Sequence, residues 1–312
     1  MTVLELSAKL LLFILIGFAG RRLRVMQDGF DRMLSRFLLA IPLPCMIISS
    51  FRLEFSLENL LSAPLLLLLS VGSMAVMFAL VFLATAKVRD AALRKTIRFA
   101  LLFSNFTYVG FAVVRELYGP DGFFNYVIFT LPVRVMMYGG ASIMLSRAGE
   151  KIDAKETVKR FLCEPVIAVF IGFFLYAFQI DLPEVIASTL ETVGNMASPL
   201  GLMLCGVIIA DADLKNALRS PVVLIVALCR LLVIPAAALG LFCLLDVRPD
   251  ALRASVWFFA LPVASLTPTF LLRYDPEATQ ARTAAGYMVV ASTLLCVATI
   301  PLWSLVLGAL FP

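Results

Sequence analysis

The chain has 312 residues, of which 62% are hydrophobic and 15% charged, and a net charge of +5; its mean hydropathy is +0.99. Soluble domains carry about 25% charged residues, so this composition belongs to an integral membrane protein and leaves little chain for a soluble domain. The sequence contains no histidine, which excludes a Ser-His-Asp triad, a histidine proton relay and most zinc or haem sites, and its basic residues sit in short loops between apolar runs, as topology signals do and nucleic-acid surfaces do not.

A helix needs about 20 apolar residues to cross a hydrocarbon core. Charge-free runs predict ten spans, at 3–20, 33–51, 60–84, 99–115, 123–146, 161–180, 190–210, 221–245, 254–273 and 283–310. The first has only Lys9 as a basic flank and no small-residue cleavage site after Gly20, which predicts a retained span and not a removed signal peptide. The loops after spans 1, 3, 5, 7 and 9 hold 19 Lys and Arg residues, and the loops after spans 2, 4, 6 and 8 hold 4. By the positive-inside rule the odd loops face the cytoplasm and both termini lie outside. The cysteines, Cys45, Cys163, Cys205, Cys229, Cys243 and Cys296, all fall in apolar stretches without a C-x-x-C pair, and are expected to pack as small hydrophobes.

The spans also hint at duplication. Pro42-Leu43 and Pro199-Leu200 are 157 residues apart, as are Pro64 and Pro221, and half the chain is 156. Five spans per half is an odd number, so the second half is expected to lie upside down relative to the first. Carriers with such inverted repeats bind substrate near the midplane, where interrupted helices meet. The predicted division is a first five-helix repeat at 1–146, a cytoplasmic connecting loop at 147–160 and a second repeat at 161–312.

Spans 4 and 9 carry the expected interruptions. Span 4 reads Ser104-Asn105-Phe106-Thr107-Tyr108-Val109-Gly110 at its centre, and span 9 reads Leu261-Pro262-Val263-Ala264-Ser265-Leu266-Thr267-Pro268. Each proline removes a helical hydrogen bond and clashes with a preceding carbonyl. Crossed broken helices leave half-helix N-termini in the midplane, where their N–H groups favour an anion.

Among the intramembrane charges, Arg134 lies about 11 residues, or ~17 Å of helix, from either end of span 5. That depth is unfavourable unless the side chain faces a wet cavity or the protein interior, and its forked guanidinium suits a carboxylate. A structural ion pair or a cap on carbonyls freed by Pro132 is the alternative. Arg230 in span 8 is a second candidate, with snorkelling to the interface as its alternative. Glu164, Glu191 and the Glu5–Lys9 pair lie near span ends, so no central carboxylate offers itself as a proton carrier; Glu164 is the best of them. No cofactor or metal is implied.

In their order and spacing, Ile41-Pro42-Leu43-Pro44, the Ser104 to Gly110 motif, Glu164-Pro165, Ser198-Pro199-Leu200 with Gly206, Leu261-Pro262 with Pro268, and Ile300-Pro301-Leu302 resemble the auxin efflux carrier family, which includes bacterial membrane transport proteins and the plant PIN-type carriers. The resemblance runs over nearly the whole chain. It implies an all-α fold of ten helices in a five-plus-five inverted repeat, with helices 4 and 9 crossing beside the substrate. It also implies a scaffold of spans 1, 2, 6 and 7 through which a homodimer forms. By motif the family's asparagine falls on Asn105, its second crossover proline on Pro268, and its first on Ala112, where this chain departs from the pattern. The short loop between the halves points to a bacterial form in the plasma (inner) membrane.

The expected function is alternating-access transport, in the export direction, of small organic anions such as mono- or dicarboxylates or auxin-like acids, driven by an elevator or rocking movement of spans 3–5 and 8–10. The expected partners are that substrate and the lipid bilayer. Asn105, Thr107, Gly110, Arg134, Thr267 and Pro268 are the expected substrate-binding residues, and Gly110, Ala112, Pro262 and Pro268 the crossover. A sodium-coupled organic anion symporter of bile-acid-carrier type stays open as an alternative, as does a sensor that binds without transporting. An enzyme is not expected, because the chain offers no paired central carboxylates and no nucleophile with an adjacent base.

Overall fold

The computed structural model describes residues 3–52, 57–146, 164–245 and 247–311. The connecting loop at 147–160 and Cys163 lie outside the described residues. The elements of the described residues are all helices, with one isolated β-bridge outside them, and six helical stretches are long and apolar enough to cross a membrane.

The first half begins with α1 (Val3–Arg22), α2 (Phe30–Ala40) and α3 (Pro42–Ser50), followed by α4 (Leu57–Ala84), α5 (Ala91–Leu102) and α6 (Tyr108–Leu145). Within α6, Gly119 adopts φ 64° and ψ −161°, a conformation that glycine alone takes without strain. Followed by Pro120, it divides α6 into 108–118 and 120–145. The second half holds α7 (Glu164–Ala177), α8 (Glu184–Asn195), α9 (Ala197–Asp211), the short α10 (Leu214–Arg219) and α11 (Pro221–Leu228). A π-turn (Cys229–Val233) then leads into α12 (Ile234–Leu244), α13 (Pro249–Ala260), α14 (Thr267–Tyr274) and α15 (Thr279–Leu310).

Proline occupies the first turn of α3, α11, α13 and α14. There its missing N–H costs nothing and its fixed φ suits the helix. Elsewhere side chains cap: Asp90 accepts the Leu93 N–H at 2.7 Å to open α5, and Asp213 accepts the Asn216 N–H at 3.1 Å to open α10.

Helix packing falls into two groups. α1 lies against α9, and α3 against α7 and α8; α4 packs on α6, α6 on α13, and α15 on α11, α14 and α5. The α1–α9 crossing brings backbones together. A Cβ on Gly206 would stand 2.0 Å from the Ile14 carbonyl oxygen, and one on Gly17 2.0 Å from that of Met203. In lipid, where apolar surface alone drives little association, such close approach is what small residues provide.

Candidate functional site

The two interruptions meet. Residues 103–107 separate α5 from α6, and residues 261–266 separate α13 from α14. Ser104 and Val263 form the antiparallel bridge; the Asn105 N–H donates to the Pro262 carbonyl at 2.7 Å and the Ala264 N–H to the Phe103 carbonyl at 3.1 Å. Ser292 Oγ on α15 accepts the Val263 N–H at 3.0 Å, and the Tyr126 hydroxyl donates to the Phe106 carbonyl at 3.3 Å. These bonds satisfy backbone groups that two uninterrupted helices would have paired internally, as unwound chain at membrane depth requires.

Asn105 caps the helix that follows it. Its Oδ1 accepts the Tyr108 N–H at 3.3 Å, its backbone carbonyl accepts from Val109 and Gly110 at 3.2 and 3.1 Å, and its Nδ2 donates to Cys205 Sγ on α9 at 3.4 Å. Thr267 Oγ1 donates to the Ala264 carbonyl at 2.7 Å. Both half-helix N-termini are thus fixed at the crossover.

The C-terminal ends of α5 and α13 meet on Arg230, which is fully buried. Its Nη1 donates to the Leu101 carbonyl at 2.6 Å, Nη2 to Phe258 at 2.9 Å and Nε to Leu261 at 3.1 Å. The alternative of snorkelling is therefore corrected: three carbonyl partners in the protein interior hold the guanidinium away from the interface. Arg134 is also fully buried, on the 120–145 part of α6, with its guanidinium carbon 5.1 Å from the Phe106 ring and 5.3 Å from the Phe111 ring. Aromatic faces attract a cation at such distances.

Asn105, Thr107, Gly110, Arg134 and Thr267 are all buried; Asn105 and Thr107 lie in the first break, Thr267 opens the helix after the second, and Arg134 stands beside the Phe106 ring. Pro262 lies within the second break, and Pro268 on the first turn of α14, partly buried. Gly110 and Ala112 are placed differently from expectation: both sit inside the helix after the first break, because Asn105 caps that helix at Tyr108. Gly110 answers instead to close packing, since a Cβ there would stand 2.2 Å from the Tyr126 hydroxyl. Glu164 is exposed in the first turn of α7. Lys9 stands 3.0 Å from Glu116 on α6.

Sequence reasoning did not single out Tyr126, Ser292 or the ion pair of Lys95 with Asp275 at 2.6 Å. Ser292 follows Arg134 by 158 residues, one more than the spacing of the proline landmarks. A cavity of about 170 Å³ between α3, α6 and α8 is lined by Ser49, Ser50, Arg52, Arg115, Phe123 and Glu191, among others.

Comparison with known proteins adds two findings. A family model described as membrane transport protein matches residues 2–304. Over 306 residues the chain is 21% identical to an uncharacterized transporter of Methanothermobacter thermautotrophicus, covering 97% of this chain and 98% of that one.

Proposed function

Because this chain belongs to the membrane transport protein family, we propose that it is a secondary carrier of small organic anions, such as mono- or dicarboxylates or auxin-like acids, working by alternating access. The observation that carries the proposal is the sign of the buried charge. Two guanidiniums, Arg134 and Arg230, are fully buried at the crossing breaks, whereas Asp275 is the one buried carboxylate among the described residues and is held by Lys95. Arg230 engages backbone carbonyls, and Arg134 lies beside the N-terminal end of α6, where N–H groups add positive potential. A carboxylate complements that surroundings through bidentate bonding to a guanidinium.

The same proposal includes a ten-span, five-plus-five inverted repeat with halves at 1–146 and 161–312 joined by 147–160. Matched contacts support it. Lys95 donates to the Ser146 carbonyl at 3.2 Å, just past the end of α6, and pairs with Asp275 after α14. Arg253, 158 residues later, donates to the Phe311 carbonyl at 2.5 Å after α15 and lies 5.8 Å from the Tyr118 ring, and Tyr118 precedes Asp275 by 157. The ion pairs support the alternating topology too. Arg21 with Asp28 and Asp211, and Lys95 with Asp275, join odd loops to odd loops; Arg52–Glu184 and Lys9–Glu116 join groups on the opposite side.

In this scheme α4–α6 and α11–α15 move against α1–α3 and α7–α9, with both termini outside a plasma membrane. A negative-inside potential of 100 mV favours anion efflux by ~2.3 kcal/mol per charge, which gives an exporter its driving force.

The test is thermal unfolding of the detergent-purified protein against carboxylates, auxin-like acids, bile acids, amino acids and organic cations. A ligand at 100 times its dissociation constant stabilises by ~2.7 kcal/mol. Carboxylates alone are expected to raise the midpoint, and Arg134→Gln to abolish that response while still folding. A response confined to cations, or an Arg134→Gln protein that answers carboxylates as the parent does, overturns the proposal.

A further inference from the structure

We infer that Arg230 is a tethered cation, filling from within the chain the carbonyl-lined position at the crossover that a free monovalent cation would otherwise occupy. The inference rests on the carrier proposal for its meaning in transport, and on geometry for its existence. α5 and α13 both end at the crossover, and each helix end carries the equivalent of about half a negative charge on carbonyls without helical partners. The carbonyl oxygens of Leu101, Phe258 and Leu261 converge on one buried place. Helix C-termini and unwound carbonyls of this kind are what hold a coupling Na+ in carriers with broken helices.

Here a guanidinium stands there, and the surrounding helix is reshaped to deliver it. Pro235 supplies no N–H to Leu231, four residues earlier, and the turn at Cys229–Val233 widens to π geometry, closed by the Ile234 N–H on the Cys229 carbonyl. The freed Leu231 carbonyl accepts instead from Trp303 Nε1 at 2.8 Å. A π-turn is a recognised way to re-aim a functional side chain, and this one turns Arg230 toward the two helix ends. The indole bond from α15 then fixes the distorted turn in place.

A cation bound by carbonyls alone leaves and returns, so occupancy of its site follows the concentration outside. A guanidinium on the chain does neither. The moving unit consequently carries its positive charge through the whole cycle, loaded or empty, and the crossover needs no Na+ to hold its two helix ends together. Arg230 is on this account a positioning residue: it orders α5 and α13, and does not touch substrate.

The test compares the wild type with Arg230→Lys and Arg230→Met by thermal unfolding in chloride salts of sodium, potassium and choline at one ionic strength, with and without guanidinium chloride at concentrations well below denaturing ones. The wild type is expected to unfold at one midpoint in all three salts. Arg230→Met is expected to lose several degrees and to regain part of them with guanidinium or Na+ but not with choline, a cation-selective rescue that loss of packing alone does not produce. Arg230→Lys is expected to fall between the two. A Na+-specific rise in the wild type overturns the inference, as does an Arg230→Met protein whose loss no small cation repairs. If Arg230→Met does not fold in choline chloride alone, its recovery as a monodisperse protein when purified with guanidinium or Na+ supports the inference, and a protein that no small cation recovers overturns it. Failure of the carrier proposal reads out separately, as an absence of any response to carboxylates in every variant.

Discussion

The bond between Lys95 and Asp275 ties the entrance of α5 to the exit of α14, the outer ends of the two half-helices that cross. Its N–O distance is 2.6 Å, and the two side chains are 18% and 10% exposed; Lys95 also donates to the Ser146 carbonyl at 3.2 Å. Fully exposed pairs contribute about 0.2–1 kcal/mol, and removing one partner of a fully buried pair costs about 3–5 kcal/mol. With most of both groups withdrawn from solvent, Asp275→Asn is expected to cost about 2 kcal/mol, a value typical of a hydrogen bond to a charged group. In a chain of this length that loss lowers the unfolding midpoint by about 3 °C. The assay is a double-mutant cycle with Lys95→Met, read by thermal unfolding in detergent at low and at high salt. The coupling is expected to exceed about 1 kcal/mol and to persist at high salt, because a largely buried pair is weakly screened. Arg52→Gln serves as the exposed control, since Arg52 and Glu184 are 3.8 Å apart and 37% and 84% exposed. A coupling no larger than the control's, or one that salt abolishes, refutes the claim that this pair fastens the crossing helices.

Two further outcomes follow from packing. Gly206→Leu would place a Cβ 2.0 Å from the Ile14 carbonyl oxygen, and since that backbone has nowhere to yield, α1 and α9 must separate. The expected loss is at least about 3 kcal/mol, visible as a lowered midpoint and a polydisperse size-exclusion profile, whereas Gly72→Ala, with open space around it, changes stability by no more than about 1 kcal/mol. Trp303→Phe removes the donor to the Leu231 carbonyl and is expected to cost about 2 kcal/mol by leaving that buried group unsatisfied. Adding Pro235→Ala restores a backbone N–H and recovers part of the loss, measured by the same unfolding assay.

Much of the architecture was legible because lipid imposes severe rules on sequence. Long apolar stretches, the interruptions near Asn105 and Pro262, and the depth of Arg134 are each visible as departures from a uniform apolar run. What escaped depends on three-dimensional register. Motif alignment moved the first break toward Gly110 and Ala112, but the break ends where the Asn105 side chain caps Tyr108, a choice no spacing reveals. Arg230 looked free to reach the interface because a linear reading gives its distance to the span end but not the converging carbonyls of two other helices. A linear reading treats Lys95 as a loop charge and gives Asp275 no role, and their 180-residue separation in sequence conceals their bond.

The hydrogen bond from Asn105 Nδ2 to Cys205 Sγ joins the first break to α9, and so bridges the two packed groups of helices. The thiol is 2% exposed. If the crossover slides past α9, this weak bond must part and the sulfur must change neighbours in every turnover. On that mechanism Cys205 is an intrinsic chemical clock. With the other cysteines replaced, the rate at which a small maleimide alkylates Cys205 becomes a direct measure of how often the moving unit leaves its resting position, with no introduced label and no knowledge of the cargo.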